Sequence, residues 1–277
     1  MKKILTVVLC LSIVFTYSVG VYAADSPESA AVTQAKAEKR THNEKKMNSD
    51  KSHLKSIGFT NVKAIDNFKG QGTTAYKLEM PNGVESYAKV NDTEEGIEYE
   101  FYEGDKHDIV CYLYDGRVKI DGVFVTDENG DAIRVGGDIM TRARYATHSS
   151  KPIKGKASNY DKYIQSTSDS WITFAKALAT FTTAAMGSFI CNLFGLEIAG
   201  EIFTGFGIGM ATDVISNAKT SAPNSKVMSR EYAIYEYVGG AATPLDHYYK
   251  YVAKCYVKGN LQGPAAKKNY YEYNYFA

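Results

Sequence analysis

Residues 171–218 read WITFAKALATFTTAAMGSFICNLFGLEIAGEIFTGFGIGMATDVISNA, and between Lys176 and Glu197 twenty residues pass without a charge. A run of that length can cross the hydrocarbon core of a bilayer as a helix. How it is accommodated sets the architecture, because the chain before it is polar and strand-rich and the chain after it is dominated by tyrosine. Ala175, Ala179, Thr183, Gly187, Cys191, Gly195 and Ala199 follow at i+4 steps, a row of small side chains along which a second helix approaches closely. Gly205 and Gly209 repeat the spacing. Such a row drifts by about 40° per step, so it faces more than one neighbour. Gly195, followed by Leu196 and Glu197, is the natural break, which predicts a hairpin of helices near 170–194 and 197–217 with Ser168, Asp169 and Ser170 as caps.

Magnitudes argue against constitutive insertion. Leu178, Phe181, Met186, Phe189, Ile190, Leu193, Phe194 and Leu196 together contribute about −2.4 to −4.8 kcal/mol on the insertion scale. Asn192, the hydroxyls and the glycines oppose them, and Glu197, Glu201 and Asp213 would each cost about 2.5–3.5 kcal/mol more at the membrane centre while ionised. Two readings stay open: a hairpin buried in a soluble core, or one that is soluble first and inserts under a trigger. In the second, Phe181, Phe189, Leu193 and Phe194 are the expected insertion residues, with Glu197 and Glu201 as the barrier near the tip. Gly187, Gly195, Gly205 and Gly209 are the expected helix-packing positions in either.

The N-terminus has a charged Met1-Lys2-Lys3 start, an apolar run from Ile4, and a small-residue site at Val21-Tyr22-Ala23. This is the pattern of a secretory signal peptide, and it predicts an extracellular protein. Cys10 would leave with it, and the odd remainder of Cys111, Cys191 and Cys255 allows at most one disulfide, so no disulfide scaffold is expected. Residues 24–56 are rich in Ala, Lys, Glu and Ser and predict a mobile leader or a helix over about 30–56, with the composition of a removable propeptide. The net charge of +1 identifies no partner. Its distribution, an acidic block at 60–131 flanked by basic stretches, fits intramolecular complementarity.

Between 57 and 135 short β-branched and aromatic runs at 73–80, 84–90, 97–102, 109–114, 117–120 and 123–126 alternate with turn signals such as Asp115-Gly116 and Asn129-Gly130. That spacing predicts an antiparallel meander. Asp127, Asn129, Asp131 and Asp138 imitate a calcium loop, but Ala132 stands where its glycine belongs, and a hairpin turn at Asn129-Gly130 accounts for the same residues. Residues 136–168 read as a linker. Strands resume at 230–238, 248–258 and 269–276, and eleven of the 22 tyrosines fall between Tyr232 and Tyr275. Tyr249 and Tyr251 would lie on one face of the middle strand and Lys250 and Lys254 on the other, and the four are the expected surface-binding group.

The fold expected is therefore α+β, an antiparallel β-rich body with an inserted apolar helical hairpin. Its parts are a signal peptide (1–23), a polar leader or helix (24–56), a β region (57–135), a linker (136–168), the hairpin (169–218) and a Tyr-rich β region (219–277). No nucleophile elbow, HExxH, P-loop or CxxC pair occurs, so no catalytic residue, metal or cofactor is expected, and Asp246-His247 is the nearest approach to an acid/base pair. Nucleic acid is not an expected partner. A signal peptide through Ala24, a polar leader, a β-rich body and a Gly/Ala-rich apolar stretch at 171–218 resemble the organisation of the large, heat-labile secreted bacteriocins of Gram-positive bacteria, the geobacillin type. The resemblance implies an antibacterial toxin acting at a target membrane or cell envelope, and an immunity protein in the producer. It carries over no functional residues. The alternative reading is an envelope- or glycan-binding protein in which the hairpin is structural and the Tyr-rich face binds.

Overall fold

The computed structural model describes residues 27–59, 61–81, 83–135, 147–168, 171–196, 202–218, 227–239, 246–258 and 263–275. The expected signal peptide, Asp138, Glu197 and Glu201 lie outside them. The chain divides into two compact units, Met1–Ser49 and Asp50–Ala277. Helix α1 spans Pro27–Ser56, within the stretch expected as a polar leader or helix.

The second unit is α+β and β-rich. Its first sheet is a seven-stranded meander in sequence order: β1 (Val62–Ile65), β2 (Ala75–Leu78), β3 (Ser86–Asp92), β4 (Gly96–Glu103), β5 (Lys106–Leu113), β6 (Val118–Ile120) and β7 (Val123–Phe124). Every neighbouring pair is antiparallel. The β6–β7 turn shows why the chain reverses so tightly: Asp121 and Gly122 both take positive φ, 51° and 79°. That pair of conformations suits the twist of a two-residue hairpin, and Asp and Gly tolerate it best. Alternation along the strands buries Tyr76, Ala88, Val90, Tyr99, Phe101 and Val110 on one face.

The chain changes sheets at the buried Val125, between β7 and β8 (Thr126–Asp127). The second sheet adds β9 (Thr147–Ser149), β10 (Tyr160–Ser168), β11 (Ile172–Thr173), β12 (Val227–Tyr237), β13 (Asp246–Val257) and β14 (Ala266–Tyr275) in the order β8-β11-β12-β13-β14-β9, with β10 also paired to β12. Here the expected linker is corrected, since β9 and β10 fall inside 136–168. Register shifts between Tyr160 and Lys162 and between Tyr163 and Gln165 interrupt β10, which destroys the two-residue alternation by which a strand is recognised.

Helices α2 (Thr183–Leu193) and α3 (Ile208–Ala218), the latter entered through a π-helical turn at Phe203–Gly207, form a layer between the sheets. On one side the Tyr112 hydroxyl of β5 meets Ser188 Oγ at 2.9 Å. On the other, Asn217 Nδ2 donates to the Ala265 carbonyl at 2.8 Å, and the Phe206 ring lies 5.3 Å from Tyr270 of β14. Every residue of α2 is buried. A helix apolar all round is one covered all round, which accounts for the uncharged run. The first helix expected from about 170 begins instead at Thr183. Ahead of it come β11 and a 3-10 turn at Leu178–Thr180, so Ala175 and Ala179 are not on α2.

Candidate functional site

The start of α2 is built by the β4–β5 hairpin. Because Glu103 pairs with Lys106 and Phe101 with Asp108 across that hairpin, Glu103, Lys106 and Asp108 stand together on the face turned to the helices. Asp108 Oδ2 accepts the Thr182 N–H at 2.6 Å and the Thr182 hydroxyl at 2.5 Å. Glu103 accepts the Thr183 N–H at 2.9 Å and its hydroxyl at 3.0 Å. Lys106 Nζ donates to the Phe181 carbonyl at 2.7 Å. Thr182 is itself the N-cap, its hydroxyl accepting from the Ala185 N–H at 3.2 Å. Two carboxylates therefore take the first free N–H groups of the helix, at the end where its dipole favours negative charge.

Lys176 completes this clamp. Its ammonium pairs with the buried Asp108 and with Asp121 of the β6–β7 turn, the latter at 2.8 Å, and lies 4.8 Å from the Phe181 ring. Burial works against its charge, but the two carboxylates outweigh burial and hold its pKa above the ordinary lysine value. Deeper in the layer, Ser188 donates to the Ala185 carbonyl, so Tyr112 is the donor to Ser188. Burial pushes the Tyr112 hydroxyl up to about 12.

The expected packing glycines divide. Gly187 meets the second helical segment, where a Cβ would stand 2.8 Å from Ile208 Cδ1. Gly207, which the sequence reading passed over, is the closer contact: its Cβ would lie 2.5 Å from Cys191 Sγ and 3.1 Å from the Gly187 carbonyl oxygen. Gly205 and Gly209 instead approach Ser150 and Lys268, away from α2. Gly195 is the expected break, and at φ 64° it closes α2 with the Leu196 N–H on the Cys191 carbonyl. Phe181, Phe189, Leu193 and Phe194 are all buried. Phe174 lies edge-on to Phe181 and Phe189 at 5.3 and 5.2 Å, and Phe206 edge-on to Phe194 at 5.4 Å. Among the described residues no helix is long and apolar enough to cross a membrane.

The second sheet separates the four expected surface-binding residues onto its two faces. Tyr249 and Tyr251 share the face that carries the helices farther along: Tyr251 stacks on Tyr270 at 4.5 Å and donates to Glu272. Glu272 also accepts from Asn274 and pairs with His148 at 3.0 Å. Burial raises its pKa, but these bonds outweigh burial and leave it below the ordinary glutamate value. Lys250 and Lys254 lie on the opposite face, where Lys250 sits 4.6 Å over the Tyr235 ring and Lys254 pairs with Glu231 at 2.8 Å. That face also gathers Tyr160, Tyr237 and Tyr271, with ring centroids 5.2 and 5.0 Å from Tyr160. Its rim exposes Tyr163 (55 %), Ile164 (42 %) and Val238 (51 %).

Asp246 and His247, adjacent in β13, part to opposite faces: Asp246 accepts from Tyr273 at 2.6 Å and His247 faces Glu236 at 3.4 Å. The Asp127 carboxylate accepts the N–H groups of Asn129 and Asp131, as the hairpin-turn reading requires. Among the described residues no three His, Cys, Asp or Glu side chains converge as a metal site. Cys111, Cys191 and Cys255 are free thiols, and burial pushes Cys255 up to about 12. Set against known proteins, the chain matches no family model, no curated protein and no solved structure.

Proposed function

We propose that this chain is a secreted, non-enzymatic antibacterial protein that perturbs the membrane of a target bacterium. Its working part is the apolar segment from α2 through α3, acting as a helical hairpin that the two sheets keep soluble until it meets the target. One observation carries the reading: the clamp of Asp108, Glu103, Lys106 and Lys176 fixes the start of α2 at the position where the helix would have to lengthen. Eleven residues make a helix of about 16 Å, against about 30 Å of hydrocarbon. The twenty uncharged residues between Lys176 and Glu197 would make about 30 Å. Release of the clamp lets 177–182 join the helix, and the same release uncovers the apolar layer.

Dye leakage from anionic liposomes, with killing of related bacteria alongside, tests this. Asp108→Asn takes the buried carboxylate from Lys176 and Thr182, should lower stability by about 3 kcal/mol, and should raise leakage at neutral pH. The double change Glu197→Gln and Glu201→Gln should raise it too, since an amide avoids the cost of burying charge. Phe189→Asp should abolish it. A folded Phe189→Asp protein that leaks and kills as well as the parent removes α2 from the mechanism.

The exposed Tyr163, Ile164 and Val238 beside Tyr235 and Lys250 favour a second reading, in which the outer face of the second sheet binds an envelope glycan and the helices are structural. Tyrosine presents an apolar ring with a polar edge to such a ligand. Co-sedimentation with purified cell walls, lost in Tyr163→Ala and Tyr235→Ala while leakage stays absent, would favour it.

A further inference from the structure

Helix α1 changes character along its length. Residues 38–46 read EKRTHNEKK, and every one of them is exposed. A helix without an apolar stripe has no tertiary burial to hold it, and an isolated helix is marginal in water, so this part opens locally at little cost. From Asp50 onward the situation reverses. Asp50 is 4 % exposed and accepts the Tyr76 hydroxyl at 2.9 Å. The Tyr99 hydroxyl donates to the His53 carbonyl at 3.2 Å, and His53 Nε2 lies 3.0 Å from Asp92. Leu54, Ile57 and Phe59 are buried, and the Phe59 ring lies edge-on to Phe203 with centroids 4.5 Å apart. The exposed run at 38–46 ends just ahead of the point where the chain divides into its two units, at Ser49 and Asp50.

We infer that the stretch ahead of Asp50 is a processing site for an endopeptidase specific for Lys and Arg, cutting at the pairs Lys39-Arg40 and Lys45-Lys46, and that the anchor from Asp50 to Phe59 stays with the body. The step is hydrolysis. At Lys46 the oxygen of water joins the carbonyl carbon, the C–N bond to Met47 breaks, and the proton goes to the new amino group. Lys51 and Lys55 carry the same chemistry but are spared, because a protease binds its substrate extended and their bonds lie in helix held by Tyr76, Tyr99 and Asp92. The whole stretch at 24–56 is thus not one removable leader. Only its first part can leave without opening the core.

Trace trypsin on the purified full chain, followed over time by intact mass, tests the inference independently of any membrane activity. The first product should begin at Arg40, Thr41, Lys46 or Met47 and melt at the temperature of the uncut protein. Changing all four basic residues to Gln should slow that first cut by roughly tenfold or more, and Asp50→Asn should move cleavage on to Lys51. The N-terminus of protein recovered from culture supernatant should match one of the trypsin products. A first cut after Lys51, Lys55 or inside the body, a product that melts lower, or an Asp50→Asn protein still resistant at Lys51 would overturn it, as would supernatant protein that begins ahead of Lys39.

Discussion

Gly207 and Gly195 are small for different reasons, and substitutions tell them apart. At Gly207 the limit is space: a methyl group would press on Cys191 Sγ and the Gly187 carbonyl, and neither the buried sulfur nor the backbone can retreat far. Gly207→Ala should therefore cost about 1–3 kcal/mol through overpacking. At Gly195 the limit is the backbone, since φ 64° is a conformation that a Cβ penalises by about 1–2 kcal/mol. Gly195→Asn should restore most of what Gly195→Ala loses, because Asn tolerates the left-handed region, whereas no substitution should rescue Gly207. Thermal melting reads both, at about 2–4 °C per kcal/mol for a unit of this size. Equal losses in Gly195→Ala and Gly195→Asn would show that packing limits that position as well.

At the scale of elements, the three long strands β12, β13 and β14 are tied by carboxylates whose pKa values the fold lowers. Hydrogen bonds from Lys254 and Tyr256 lower Glu231, the bond from Lys162 lowers Glu236 against a smaller effect of burial, and Glu272 is lowered as described. A carboxylate with a depressed folded pKa contributes stability that is whole above its ordinary value of 4.5 and drains as pH falls through the lowered one. The melting temperature should accordingly drop as pH falls below the ordinary value of 4.5 and through the lowered ones, and Glu272→Gln should flatten part of that drop while lowering stability at neutral pH. A pH profile identical to the parent's would mean that Glu272 titrates alike in folded and unfolded chains. Helix α2 teaches the complementary point about elements. Its start is set by Asp108 and Glu103, which lie 74 and 80 residues earlier in the chain than the threonines they hold.

The whole second unit is a sheet, a pair of helices and a second sheet, held by burial with no cross-link among Cys111, Cys191 and Cys255. A reducing agent should leave its melting temperature unchanged, and thiol titration of the unfolded unit should find all three cysteines reactive. A lower melting point in reductant would require a disulfide between chains. The layered arrangement also explains why a stretch apolar enough to resemble a membrane span coexists with polar sheets: the two helices bury apolar surface against each other, and beyond that contact α2 meets β4 and α3 meets β13 and β14.

Local chemistry was enough to read the meander of the first sheet, the polar helix α1, the three long C-terminal strands and the stop at Gly195. In each the signal is short-range: turn residues such as Asp115-Gly116, alternation along the strands, and a glycine able to take positive φ. Three features were not legible along the chain. The start of α2 depends on carboxylates from β4 and β5, and the contact glycine is Gly207 because a π-helical turn rotates Gly205 and Gly209 away. Strand β10 is hidden by its bulges. Sequence carries the propensity of each segment and the alternation of its faces, but which hydrogen bonds begin a helix is settled only when distant segments compete for the same groups.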